Sequence, residues 1–175
     1  MSLSKEVVAL SHPPSSSASK LNSYTSNGYF FRVKKVDNKR TRQNCGVCLH
    51  DGSVSYYGKL TEIIKITYSI DIKYVLFKCE WTHPTSGVKL DPFNFTLVNF
   101  RRLLYQNDLV GDEPFILASQ AKQVWYNPDP SGQGWFNVGQ VESKEYSHVH
   151  IDSMDELDGD DESMDELDDD RVEFS

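Results

Sequence analysis

The chain has 175 residues, room for one domain of ordinary size. Its formal charge of −8 is unevenly placed: Ile151 to Ser175 carries 13 acids against the one base Arg171, leaving 13 acids and 17 bases before it, so a body near +4 bears a tail near −12. No stretch approaches the roughly 18 apolar residues of a membrane span, no secretory pattern opens the chain, and an odd count of 3 cysteines points to reduced thiols in an intracellular protein.

Residues 1–27 are rich in serine, with Pro13-Pro14 and "SSSAS" from Ser15 to Ser19. That composition buries too little apolar surface to offset its ordering entropy, so a disordered N-terminal segment is expected. The body, residues 28–141, opens on "YFFRVKKV", where Tyr29, Phe31 and Val33 share one face of a strand. "GVCL" (Gly46 to Leu49) is a short strand that stops at the turn pair Asp51-Gly52. "YYGKLTEIIKITYS" (Tyr56 to Ser69) fits both a helix and a strand, and Glu62 and Ile63 each break the alternation once. Its β-branched Thr61, Ile63, Ile64, Ile66 and Thr67 decide for a strand, with Leu60, Ile64, Ile66 and Tyr68 on one face. In "KYVLFKCEW" (Lys73 to Trp81), Val75, Phe77, Cys79 and Trp81 alternate with polar neighbours, so the two runs read as a hairpin.

After the Asp91-Pro92 break come further short strands: Phe95 to Phe100, Phe115 to Leu117, Gln123 to Tyr126 and Trp135 to Val138, with Asn99 to Asn107 as a candidate helical turn. The expected fold is mostly β, a small barrel or sandwich of about seven short antiparallel strands, with α+β as the alternative. Residues 142–175 form an acidic tail in which "SMDELDGDDE" (from Ser153) is followed by "SMDELDDD" (from Ser163). Like charges at that density favour a disordered, extended chain. Ser153 with Glu156 and Ser163 with Glu166 fit capping boxes, and the acids after each serine suit an acidophilic kinase.

"QNCGV" (Gln43 to Val47), "YYGKLTEIIKITY", "VLFKCEW" (Val75 to Trp81), "FTLVNF" (Phe95 to Phe100) and "FILASQAKQVWYNPD" (Phe115 to Asp129) occur in that order. Together they resemble a plant domain of unknown function found toward the C-terminus of CACTA (En/Spm-type) transposon proteins. The resemblance spans about Tyr29 to Val141. It implies a nuclear, transposon-associated accessory domain and supplies no catalytic residue. The chain departs from the family pattern at Cys45, where a small polar residue such as serine is expected.

Three motifs carry candidate chemistry. "RVKKVDNKRTR" offers Arg32, Lys34, Lys35, Lys39, Arg40 and Arg42 to phosphates, giving weak and salt-sensitive nucleic-acid binding, against the plainer reading of a solvated strand end and loop. Cys45, Cys48, Cys79 and His83, with His50, have the side-chain types of a zinc site, but the Cys-x3-His spacing of the second pair is unfamiliar and Cys79 alternates with core residues, so a buried thiol is the better reading. Tyr56, Tyr57, Tyr74, Trp81, Trp125, Tyr126 and Trp135 could cage a methylated ammonium, or simply fill a core. No nucleophile–base spacing, phosphate loop or metal-binding carboxylate set is present. The sequence therefore points away from an enzyme and needs no cofactor. It points to a module binding a protein partner, in a nucleoprotein assembly, with direct DNA or RNA binding or a decayed transposon fragment as alternatives, and no membrane.

Overall fold

The computed structural model describes residues 18–67, 72–105, 112 and 114–144. Ser153, Ser163 and the rest of the acidic tail from residue 145 on lie outside them, as do residues 1–17. In chain order the elements are β1 (Ala18–Leu21), β2 (Ser23–Ser26), β3 (Tyr29–Arg32), the one-turn helix α1 (Lys34–Asp37), β4 (Gly46–Asp51), β5 (Val54–Thr67), β6 (Lys73–Trp81), β7 (Val88–Leu90), β8 (Thr96–Val98), β9 (Phe115–Leu117), a 3-10 turn (Ala118–Gln120), β10 (Lys122–Pro128) and β11 (Phe136–Gln140). The mostly-β expectation holds. β1 and β2 lie before the boundary drawn at Gly28, so structured chain begins at least as early as Ala18.

β4 and β5 form a hairpin in which Asp51 pairs with Val54 and Gly52 takes a φ of 57°, a left-handed value that glycine adopts without steric cost. β5 then runs antiparallel to β6 along its length. The register slips once, between Leu60 and Glu62, so that Thr61 is an extra residue with no partner of its own. Its hydroxyl donates to the Lys78 carbonyl at 3.0 Å. A one-residue bulge reverses which face the following side chains take. Ile63 is therefore fully buried, and Ile64, expected inside, is only half-buried. On β6 the expected alternation is met: Val75, Phe77, Cys79 and Trp81 are all buried.

The main sheet runs β7-β8-β11-β10-β4-β5-β6-β9, with β1 added to the far half of β5, while β2 and β3 form a separate ribbon. Every pairing is antiparallel, and no pairing joins the two ends β7 and β9. The expected barrel is thus an open sheet. It nevertheless curls: Lys59 on β5 and Phe100 just after β8 stand four strands apart in the order, about 19 Å if flat, yet the Lys59 ammonium sits 4.2 Å from the centre of the Phe100 ring. The candidate helical turn at Asn99 is instead a tight turn, with Leu103 bridging Thr82, over the part that is described.

Two clusters lie on opposite faces of β4. The first packs Phe31, Val47, Leu60, Ile63, Phe77 and Trp81 under the β2–β3 ribbon and α1. Phe31 and Phe77 meet edge to face at 4.9 Å. The second gathers Cys48, Val98, Val124 and Tyr126, with Phe100 and Phe136 against them, inside the curl. There the buried Tyr126 hydroxyl donates toward the carbonyls of Gly58, at 2.8 Å, and Val47, at 3.3 Å.

Candidate functional site

The β7–β8 hairpin ends in the turn Asp91-Pro92-Phe93-Asn94, which is held by its first residue. One Asp91 carboxylate oxygen accepts from the backbone N–H groups of Phe93 and Phe95, both at 2.8 Å, and the Asp91 N–H donates to the Phe95 carbonyl. The turn is fixed, but its apolar side chains are not covered: Phe93 is 81 % exposed, Leu90 63 % and Phe95 61 %. Burying apolar side chains of that size is favourable, so two rings and a leucine on one ordered hairpin tip mark a contact surface. Beside them a groove of about 520 Å³ is lined by Val54, Tyr56, Pro84, Val88, Leu90 and Thr96.

β7 is an end of the sheet, so one of its edges is unpaired within it. Its two faces differ in character. Val88 and Leu90 line the groove, whereas Lys89, between them, places its ammonium 4.1 Å from the centre of the Trp135 ring. Arg102 approaches the same ring at 5.7 Å and donates to the Ser86 carbonyl. The edge therefore offers an apolar side and a cationic side to anything laid along it.

Of the basic residues in the Arg32–Arg42 segment, two are engaged within the fold. Arg32 faces the buried Asp37 carboxylate at 3.8 Å, and Lys34 binds Glu80 at 2.7 Å. Asp37 also accepts from the N–H groups of Asn44 and Cys45, which ties the segment's end back to α1. Lys35, Lys39, Arg40 and Arg42 are exposed on the helix and the turn after it. The plainer expectation of a strand end and loop is thereby amended by one turn of helix.

The zinc candidates are not brought together. Cys45 and Cys79 lie in the first cluster and Cys48 in the second, on opposite faces of the sheet, because residues three apart on a strand point opposite ways. His83 turns its Nδ1 to its own turn, accepting from the N–H groups of Thr85 and Ser86 at 3.4 Å. Burial raises the Cys45 thiol to about 12, helped by the Asp37 carboxylate beside it, and pushes Cys79 well above its ordinary range. Both are inert core thiols. Among the aromatic residues, Tyr126 with Phe100 and Phe136 does surround an ammonium, but it is the chain's own Lys59, whose pKa burial lowers.

Cys48 is different, and so is His50. Residues two apart on β4 share a face, and the His50 Nε2 lies 3.8 Å from the Cys48 Sγ. The cross-strand register places Ser55 opposite His50 and Tyr57 opposite Cys48. The Ser55 hydroxyl meets His50 Nδ1 at 2.8 Å, and Ser55 and Thr96 both hydrogen-bond the Tyr57 hydroxyl. Lys122 pairs with Cys48 from the other side, on β10. Cys48, His50, Tyr57, Thr96 and Lys122 line a cavity of about 140 Å³. The pairing of Cys48 with His50 as thiol and base was not among the sequence expectations; its signal is Cys-x-His within a strand.

Residues 64–138 match a family model described as a domain of unknown function (DUF4216). The match covers somewhat under half of the chain and lies within the span of the resemblance, whose coarser content, a domain without an assigned activity, it supports. No curated protein and no solved structure matches the chain. The matched segment contains the exposed hairpin and excludes Cys48, His50 and the basic segment.

Proposed function

We propose that the chain is a non-enzymatic interaction module that captures an extended segment of a partner protein along β7. The observation that carries it is the Leu90, Phe93 and Phe95 group, more than half exposed on a turn that Asp91 holds in place. A strand added at the β7 edge sends alternate side chains to opposite faces. Apolar residues would enter the groove beside Val88 and Leu90, and acidic ones would meet Lys89 and Arg102, so the partner segment alternates apolar and acidic side chains. The transposon-associated, nuclear setting suggested by the resemblance belongs to this proposal, with the module as an accessory part of a nucleoprotein assembly.

The test is fluorescence anisotropy with labelled ten-residue peptides. An alternating valine–glutamate peptide binds, and Leu90→Asp or Phe93→Ser weakens binding at least about tenfold, the loss of one well-buried apolar contact. Equal binding by a valine–lysine peptide, or none by the valine–glutamate peptide at low salt, overturns the reading.

A second reading has its own observation: Lys35, Lys39, Arg40 and Arg42 stand exposed on one short segment. Nucleic-acid binding there would fall steeply with salt and vanish when Lys35, Lys39 and Arg40 are reversed to glutamate. Duplex binding unchanged by that reversal disposes of it.

A further inference from the structure

The Cys48 cavity calls for a different chemistry from the docking edge, and it does not depend on it. A buried thiol in a well-packed core has mainly apolar neighbours, as Cys79 does beside Leu60, Phe77 and Trp81. Cys48 is 3 % exposed and yet opens onto a cavity, within reach of an imidazole whose other nitrogen is engaged by Ser55. A thiol, a base and a group orienting that base, each placed by strand register, form the arrangement by which a weak nucleophile is activated. The polar groups around Cys48 and its cavity come from five further elements and its own strand: His50 on β4, Tyr29 from β3, Tyr57 from β5, Thr96 from β8, Lys122, Gln123 and Tyr126 from β10, and Gln140 from β11. Among the described residues no carboxylate lines the cavity.

We propose that Cys48 is an acyl-acceptor site for small activated esters or thioesters. The sulfur attacks the acyl carbonyl carbon while its proton passes to His50 Nε2. The new S–C bond forms, the C–O or C–S bond to the leaving group breaks, and His50 returns the proton to the departing alcohol or thiol. Tyr57 and Lys122 line the cavity and supply donors for the oxyanion that forms between these steps. The Tyr57 hydroxyl stays protonated, because burial raises its pKa, and is thus a donor at neutral pH. The cavity's volume admits a short acyl group and excludes a polymer.

Burial also holds the Cys48 thiol at about 11, with Lys122 pulling the other way. At neutral pH it carries almost no thiolate, so reaction there requires the proton to leave through His50. That requirement gives the test. The full-length folded chain is incubated with p-nitrophenyl acetate, and acetylation at each cysteine is followed by peptide mass spectrometry across pH.

Cys48 is expected to acetylate at least about tenfold faster than Cys79, a buried thiol of the same sheet with no imidazole or carboxylate bonded to it, and His50→Gln to slow it by about 10²-fold. Over the two pH units above neutral the rate in the native chain rises much less steeply than about tenfold per unit, because the His50 route outweighs the small thiolate fraction. In His50→Gln it climbs until the thiol itself titrates. Ser55→Ala, which removes the hydroxyl beside Nδ1 and leaves the thiol–imidazole pair, slows it several-fold and guards against a His50 variant that fails to fold. Acetylation of Cys48 no faster than Cys79, or a native profile as steep as the His50 variant's over the two pH units above neutral, overturns the proposal.

Discussion

The two faces of β4 carry clusters of opposite character. Toward the β2–β3 ribbon, Phe31, Leu60, Ile63 and Phe77 are fully buried, and the thiols among them, Cys45 and Cys79, are bonded to no imidazole and open onto no cavity described above. Inside the curl the packing is smaller and mixed with polar groups: Lys59 lies among three rings, Tyr126 spans to two carbonyls, and Cys48 joins His50. Polar groups half-removed from water are costly unless partnered, and here each has a partner. The first face is where stability is concentrated, and the second is where reactive and recognitional groups are held still.

The largest expected effect comes from cutting the chain to the matched residues 64–138. Those residues fall in two blocks of the sheet, β7-β8-β11-β10 and the far half of β5 with β6 and β9; the path between them through β4 and the near half of β5 is lost, and only the contacts around the Thr82–Leu103 bridge remain across it. The fragment leaves both blocks with bare edges and no shared core, so its far-ultraviolet circular dichroism should lack the β signal of the whole chain and it should aggregate. A soluble fragment with a cooperative melt would show that β4 is dispensable.

Within the intact chain, Phe77→Ala empties the middle of the first cluster. It should cost about 3–5 kcal/mol in chemical denaturation. Tyr126→Phe, in the second cluster, keeps the ring and removes only the hydroxyl that bonds Gly58 and Val47, and should cost about 1–2 kcal/mol. If the tyrosine change proves the more damaging, the division between a stabilising face and a functional face is wrong.

Much of this was legible in the sequence, and the failures have definite causes. β-Branched composition identified β5, and strict alternation identified β6, because those signals are local. The face assignment after Leu60 was shifted by one residue because a bulge at Thr61 shows in sequence only as the out-of-phase Glu62 and Ile63. β1 was hidden by its composition: "ASKL" has one apolar side chain of any size, and the strand is held by its pairing with β5, not by burial. Open sheet against barrel depends on whether β7 and β9 meet, a contact between distant residues that no local pattern encodes. The hairpin tip was read as strand alternation at Phe95, and the exposure of Phe93 follows from the Asp91 turn geometry. His50 and Ser55 come together only once Gly52 sets the register between their strands.

The position of β4 between β5 and β10 has a consequence for the order of assembly. β4 and β5 are joined by a short turn, and β5–β6 form the next hairpin, so these pairings can arise early and locally. The other edge of β4 waits for Lys122 to Val124, some seventy residues further along the chain. Synthesis from the N-terminus therefore leaves that edge exposed until most of the domain has been made. Closing so long a loop is slow, and a nascent chain of this kind should fold late and lean on chaperones while it waits.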